Sequence, residues 1–249
     1  MNMNMIGHTS YDLQLVGLSY AISVFGAFTA LQLAVAIPTA KGSALWGWVV
    51  GAAAAMGGGA IWSMHFIAML AFRMPMRVSY DVGLTLASLL LAILVTGAGL
   101  FIVGRGEASF ARLLGGGTLT GLGVATMHYT GMAAMQMPAR IDYVPSLFAL
   151  SLVIAVVAST VALWLCFNLR GNLQRFGSAF VMGVAVCGMH YTGMAATHFT
   201  PDYQHPPAAA FGMETGEMAL TIFLFTAALM AVALSIALKR ARQVIQLEV

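Results

Sequence analysis

The chain has 249 residues, of which 60% are hydrophobic and only 8% are charged, with a formal net charge of +3. A typical soluble domain carries roughly 25% charged residues, so this composition excludes a water-soluble fold, which could not cover its surface. The basic residues are dispersed around the ends of apolar runs and give no basis for a nucleic-acid partner, while Cys166 and Cys187 both lie inside such runs, so no disulfide framework is expected.

In chain order, Met1 to Ser10 comes first, with the string MNMNM and His8 but no basic segment. A cleaved signal peptide is therefore not expected, and the first span, about residues 11–37, reads as a signal anchor. The tail is a candidate for copper capture, although an initiator methionine with a floppy tail is the simpler reading. Six windows without Asp, Glu, Lys or Arg follow: Lys41 to Arg73, Asp81 to Arg105, Arg112 to Arg140, Asp142 to Arg170, Arg175 to Asp202, and Glu217 to Lys239. Each supplies about the 20 apolar residues that a helix needs to cross a bilayer. Helices satisfy their own backbone groups in lipid, and the runs lack the alternation of transmembrane strands. The expected fold class is all-α, a polytopic membrane protein of seven transmembrane helices.

One side of the membrane collects Lys41, Arg105, Arg112, Arg170, Arg175, Lys239, Arg240 and Arg242, whereas the other has Arg73, Arg77 and Arg140. This bias places the N-terminus outside and the C-terminus in the cytoplasm. The loop before the last span agrees, with Asp202, Glu214 and Glu217 but no Lys or Arg; His205, beside Pro206 and Pro207 in that loop, reads as solvated.

The chain also repeats itself. Gly57 to Met69 reads GGGAIWSMHFIAM, Thr120 to Met132 reads TGLGVATMHYTGM, and Met182 to Met194 reads MGVAVCGMHYTGM. The histidines, His65, His128 and His190, are 63 and 62 residues apart, the length of one helical hairpin. Aligned on them, all three copies share a glycine seven before (Gly58, Gly121, Gly183) and a methionine one before (Met64, Met127, Met189). They also share a methionine four after (Met69, Met132, Met194) and an alanine six after (Ala71, Ala134, Ala196), and a proline follows (Pro75, Pro138, Pro201). The expected architecture is three helical-hairpin repeats, about 11–75, 80–138 and 146–201, plus a seventh helix at 218–238. A cytoplasmic linker begins at 239–249. Helices two, four and six run in parallel and bring the three motifs to one depth. If each helix ends near its proline, the histidines lie roughly 15 Å below that end at 1.5 Å per residue.

On a helix, positions minus seven, zero and plus four share a face, so each motif helix presents a Gly-His-Met stripe with the glycine leaving room beside the imidazole. Cys187 joins the third stripe, and His198 extends it outward as a further ligand or part of an access path. An imidazole buried in the membrane is a functional-site hypothesis by default. Imidazole suits copper, zinc, iron and nickel, whereas thioether is soft and points to copper, chiefly Cu(I). The blander reading is that methionine fills gaps, as expected for Met56, Met182 and Met230, and that the histidines bond to Tyr129, Tyr191, Thr130 and Thr192 as structural glue. The glycine runs 57–59 and 115–117 lack the Lys-Ser/Thr of a phosphate loop.

The strings MHYTGM at Met127 and Met189, with the variant MHFIAM at Met64, resemble the MHYT family of bacterial integral-membrane sensor domains over nearly the whole chain. The resemblance implies seven spans in the bacterial inner membrane and a sensory input module that is not itself an enzyme. It also implies copper, through which oxygen, carbon monoxide or nitric oxide is sensed, and a cytoplasmic output such as a diguanylate cyclase or phosphodiesterase. Carried over by position, the metal residues are His65, His128 and His190 with Met64, Met127, Met189, Met69, Met132 and Met194. Phe66 and Ile67 depart from the pattern and put any shared role of the tyrosine hydroxyls in doubt. The expected partners are the lipid bilayer, the output domain, a diatomic gas and a second copy of the chain. A copper-dependent membrane redox enzyme, a metal transporter and haem held by two of the histidines stand as alternatives.

Overall fold

The computed structural model describes residues 10–105, 109–169, 171–202 and 212–247. The MNMNM tail with His8, Arg170 and His205 with its two prolines lie outside the described residues. The described chain is mostly helical. The helices are α1 (Leu13–Ala34), α2 (Gly42–Ala71), α3 (Val82–Gly104), α4 (Phe110–Ala133), α5 (Pro145–Asn168), α6 (Asn172–Ala195) and α7 (Thr215–Leu247). Six of them are long and apolar enough to cross a membrane by length and composition; α4, rich in glycine and threonine, is not among these.

Local chemistry sets where the helices begin. Asp12 caps α1 by accepting from the amides of Gln14 at 3.0 Å and Leu15 at 3.3 Å, and Asp81 caps α3 by accepting from Leu84 at 2.8 Å. Ser109 does the same for α4 through the amide of Arg112, and Pro145 opens α5, where its missing N–H leaves no donor unpaired. The helices α1 to α6 then pack as a closed ring in chain order, α6 returning to α1, while α7 stands outside the ring against α2.

The buried polar side chains, the three histidines with a set of serines and threonines, sit within a largely apolar core, and the outer surface is apolar too. Leu86, Leu90 and Leu94 on α3, Val153, Val157 and Val161 on α5, and Phe223 and Leu224 on α7 are exposed. An apolar surface of this extent belongs in lipid. The helices meet through small residues, which is how helices approach closely when lipid removes the hydrophobic drive between them. A Cβ at Gly121 would come within 2.5 Å of the Val156 Cα, and one at Gly26 within 2.6 Å of the Ala60 amide nitrogen.

Two features depart from a purely helical expectation. First, the helices carrying the motifs end at Ala71, Ala133 and Ala195, well short of their prolines. The chain beyond each forms a strand that pairs with the strand just before an odd-numbered helix. Thus β1 (Ser10–Tyr11) pairs with β2 (Phe72–Arg73), β3 (Ser79–Asp81) with β4 (Met135–Gln136), and β5 (Ala139–Tyr143) with β6 (Thr197–Pro201). A further strand, β7 (Gly212–Glu214), adds to the free edge of β3. The shared alanines explain the join: the carbonyls of Ala71, Ala134 and Ala196 accept from the amides of Asp12, Asp81 and Val144, each at 2.8 Å. Backbone leaving a helix needs such partners, and the ribbons supply them. The histidines consequently lie six, five and five residues from their helix ends. That is roughly 8–9 Å at 1.5 Å per residue, shallower than the prolines suggest.

Second, α2 contains a π-helical stretch, Ala54–Trp62. Aligning on histidine equates Gly58 with Gly121, but the structure equates Gly57 with it. A Cβ at Gly57 would collide with the Ala92 carbonyl, just as one at Gly121 would meet the Ala155 carbonyl 63 residues later. Gly57 to His65 is thus one residue longer than Gly121 to His128, and the wider π turns absorb that residue.

Candidate metal centre

His65 on α2, His128 on α4 and His190 on α6 converge at the axis of the ring, each 1% exposed. Their ring centroids are 4.9, 5.0 and 5.1 Å apart, with planes tilted by 79°, 79° and 86°, a three-bladed propeller. The Nδ1 atoms face inward. His65 Nδ1 lies 3.0 Å from His190 Nδ1 and 3.1 Å from His128 Nδ1. Among the described residues this is the group of His, Cys, Asp and Glu side chains placed to hold a metal ion, its ligand atoms all within 4.8 Å of one another.

The aromatic residue after each histidine braces it edge-on. Phe66, Tyr129 and Tyr191 lie at centroid distances of 4.7, 4.8 and 5.0 Å from His65, His128 and His190. Phe66 supplies the same ring contact without a hydroxyl. The Tyr129 hydroxyl points away, to Ser151 Oγ at 2.7 Å, and the Thr192 hydroxyl donates to Gly188 O at 2.8 Å in its own helix. Thr130 is half-buried on α4. Among the described residues, the hydrogen-bond-length contacts of the imidazoles are with one another.

A neutral imidazole has one N–H and one lone pair. His65 Nδ1 makes two short contacts but has at most one proton, so a cluster of neutral rings leaves lone pairs confronting each other in a dry site. A cation at the centre removes that conflict. The Nε2 atoms, buried and without a hydrogen-bond partner among the described residues, then carry the protons. Metal-bound histidines usually donate that proton to a carbonyl or carboxylate. Here Nε2 instead meets a helix at a glycine: a Cβ at Gly131 would collide with His65 Nε2, and one at Gly193 with His128 Nε2. In cyclic order the matching position for His190 is Ala68. Three nitrogens about 2.0 Å from one ion stand roughly 3.3–3.5 Å apart, so the observed 3.0 and 3.1 Å need only a few tenths of an ångström of opening.

The other expected site residues are distributed as follows. Met64, Met127, Met189, Met69, Met132 and Met194 are all buried. Met189 packs on Ala125 and Ala155, and with Met56, Met182 and Cys166 it lines an apolar cavity of about 60 Å³ within the ring. Cys187 is half-buried and His198 exposed on β6, opposite Asp142 in the ribbon; neither joins the histidine group. The glycines expected beside the imidazoles do other work. Gly58 faces Phe225 and Leu89, Gly121 faces α5, and Gly183 faces Tyr20 and Val24. The glycines that make room are Gly131 and Gly193, three after the histidine. Their signal, the G of MHYTGM, was present in two copies, but it serves the histidine of another helix.

A family model described as "MHYT: Bacterial signalling protein N terminal repeat" matches three times, at residues 58–116, 121–179 and 183–247. Each match begins at the glycine seven before a motif histidine. The bifunctional diguanylate cyclase/cyclic di-GMP phosphodiesterase MucR of Pseudomonas aeruginosa is 44% identical over 94% of this chain and 35% of its own length. The signaling protein YkoW of Bacillus subtilis is 34% identical over 87% of this chain and 28% of its own length. The cyclic di-GMP phosphodiesterase NbdA of Pseudomonas aeruginosa is 36% identical over 75% of this chain and 24% of its own length. The chain thus spans about a third or less of these curated relatives. No solved structure matches it.

Proposed function

The chain belongs to the MHYT family of bacterial signalling repeats, and on that premise we propose that it is a sensory input module of the bacterial inner membrane that holds copper between α2, α4 and α6. The observation that carries this reading is the meeting of three buried Nδ1 atoms in a core whose motif helices contain no carboxylate. His65, His128 and His190 hold the ion, with the motif methionines as the soft part of the surroundings. Thioether and imidazole together suit copper better than zinc, which more often takes thiolate or carboxylate. Copper held there would supply a redox-active centre able to take a diatomic ligand such as oxygen, carbon monoxide or nitric oxide. The motif helices surround it with apolar side chains that exclude water.

In this reading the molecule is three helical-hairpin repeats, about 11–75, 80–138 and 146–201, plus a seventh crossing, with the ribbons outside and the end of α7 in the cytoplasm. The ribbon pairings, which join the start of each odd helix to the end of the next even one, support the repeats. Arg73, Arg77 and Arg140 at the ribbon end against the larger basic set at the other support the orientation. The packing of α7 against α2, with Met218, Ile222, Thr226 and Met230 buried at four-residue intervals, supports α7 as the relay. Ser63 Oγ, two residues from His65, pairs with Thr226 Oγ1 at 2.7 Å, and Trp62 meets Phe225 edge-on at 5.4 Å. A change in the position of His65 therefore reaches α7 directly. From α7 it passes to a cytoplasmic output, for which the cyclase and phosphodiesterase activities in the names of MucR and NbdA are the models.

Elemental analysis and visible spectroscopy of the purified chain test the metal reading. Wild type is expected to retain copper, and the H65A/H128A/H190A variant to lose it. Equal, negligible copper in both, or a Soret band, would overturn the copper assignment.

A further inference from the structure

A cavity of about 1010 Å³ opens at the ribbon end of the bundle, between the end of α2, the β4-β3-β7 sheet and the start of α7. Its lining includes Met69, Met74, Met76, Met135 and Met137. Met69, Met135 and Met137 are buried, whereas Met74 and Met76 are half-buried. Met69, which lines the cavity, stands one helical turn beyond His65 on the same face of α2.

Met69, Met135 and Met137 belong to the hydrophobic core and Met74 and Met76 pack against it, yet all five also border an open volume, where a thioether can meet a solute as well as fill space. They also lack the threefold pattern of the packing residues. The segments flanking Pro75 and Pro138 carry Met74, Met76, Met135 and Met137, while the third copy has Thr197 and Phe199 before Pro201. Met74 and Met76, like Met135 and Met137, are two apart in non-helical backbone, a spacing that favours one side of the chain. The charges around the opening are balanced: Arg73 is paired with Asp12 at 2.5 Å, and Glu214 lines the cavity with Arg77. A neutral, soft donor set of this kind selects a monovalent soft cation over hydrated divalent ions.

We infer that this cavity is a loading site for Cu(I), which its thioethers capture at the ribbon end and pass by way of Met69 to the histidine triad. The inference rests on the copper reading above. Transfer is ligand exchange: one thioether leaves as the next binds, no proton moves because thioethers carry none, and copper keeps its oxidation state.

The test follows Cu(I) uptake by the purified full chain, without oxygen, from a coloured competing chelator. Three variants are compared with wild type: M74L/M76L/M135L/M137L, M74L/M76L, and H65A/H128A/H190A. Met-to-Leu changes conserve volume and are tolerated well in cores, and the half-buried Met74 and Met76 provide a milder variant if the fourfold change disturbs folding. The fourfold variant is expected to reach the wild-type copper content at least tenfold more slowly, with M74L/M76L intermediate. The triple histidine variant should keep only weakly held, chelator-exchangeable Cu(I). Wild-type loading rates in both methionine variants, with copper still dependent on the histidines, would overturn the loading site and leave the triad intact. Absence of copper from wild type would overturn the copper reading, and this inference with it.

Discussion

Gly131 and Gly193 show how much of the site depends on atoms that are missing. At each, a methyl group would occupy the space of an imidazole Nε2 on the preceding motif helix. Gly131→Ala must displace His65 or spread α2 from α4, and overpacking of this kind typically costs about 1–3 kcal/mol. Gly177 has nothing near its would-be Cβ, so Gly177→Ala should be neutral or slightly stabilising. Thermal unfolding in detergent with copper analysis of both variants checks this. Loss of stability and copper in Gly131→Ala alone is the expected pattern, and equal behaviour would refute the close packing. A second residue-scale prediction concerns Asp12, whose carboxyl is held below its usual range, chiefly by the hydrogen bond from Arg73 and then by backbone amides at the start of α1. A lowered folded-state value means that the contribution to stability is present above the unfolded carboxylate range and is lost as pH falls through the folded value. Wild type should lose melting temperature over that acid interval, and Asp12→Asn should show a smaller loss there. Identical acid profiles would count against the pairing.

At the scale of elements, α2 is the unusual member. It carries the first histidine, the π stretch Ala54–Trp62, and the face on which α7 docks. The extra residue fits α2 to two neighbours at once. Gly57 keeps the register against α3 that Gly121 keeps against α5, while Gly58 and Gly59 turn toward Phe225, Leu229 and Met230 of α7. Among the described residues, α4 packs against no such outer helix and needs no extra residue. Deleting Gly59 should convert the stretch to regular α-helix with the Gly121-to-His128 spacing. Copper content should then stay near wild type while the amides of α7 exchange faster with solvent. Loss of copper with α7 still protected would show instead that the π stretch serves the triad.

For the whole molecule, the triad was legible in the sequence because a spacing of 63 and 62 residues matches two crossings, so parallel helices carry like residues to like depth. The charge-free windows marked the helices for the same reason, that charge is costly in lipid. What was hidden depends on contacts between segments. The ribbons are two to five residues long, too short for any apolar-window reading, and they shorten the motif helices at Ala71, Ala133 and Ala195. The π residue is invisible when copies are aligned on histidine, since Gly58 then matches Gly121 and hides that Gly57 is its structural equivalent. Gly131 and Gly193 were visible as letters, but a single helix drawn alone shows no reason for them, because each serves the imidazole of another helix. Met74, Met76, Met135 and Met137 lie outside the motifs and carry no signal in the sequence, because the segments that hold them meet at one cavity only in the fold.

If three histidines from three helices bind one copper ion, copper-edge X-ray absorption on the purified, copper-loaded chain will show it. The structure predicts a first shell of imidazole nitrogens at about 2.0 Å with the outer scattering of histidine rings, lost in the H65A/H128A/H190A variant. A shell of oxygen or sulfur without imidazole, or a spectrum unchanged by that triple substitution, would contradict it.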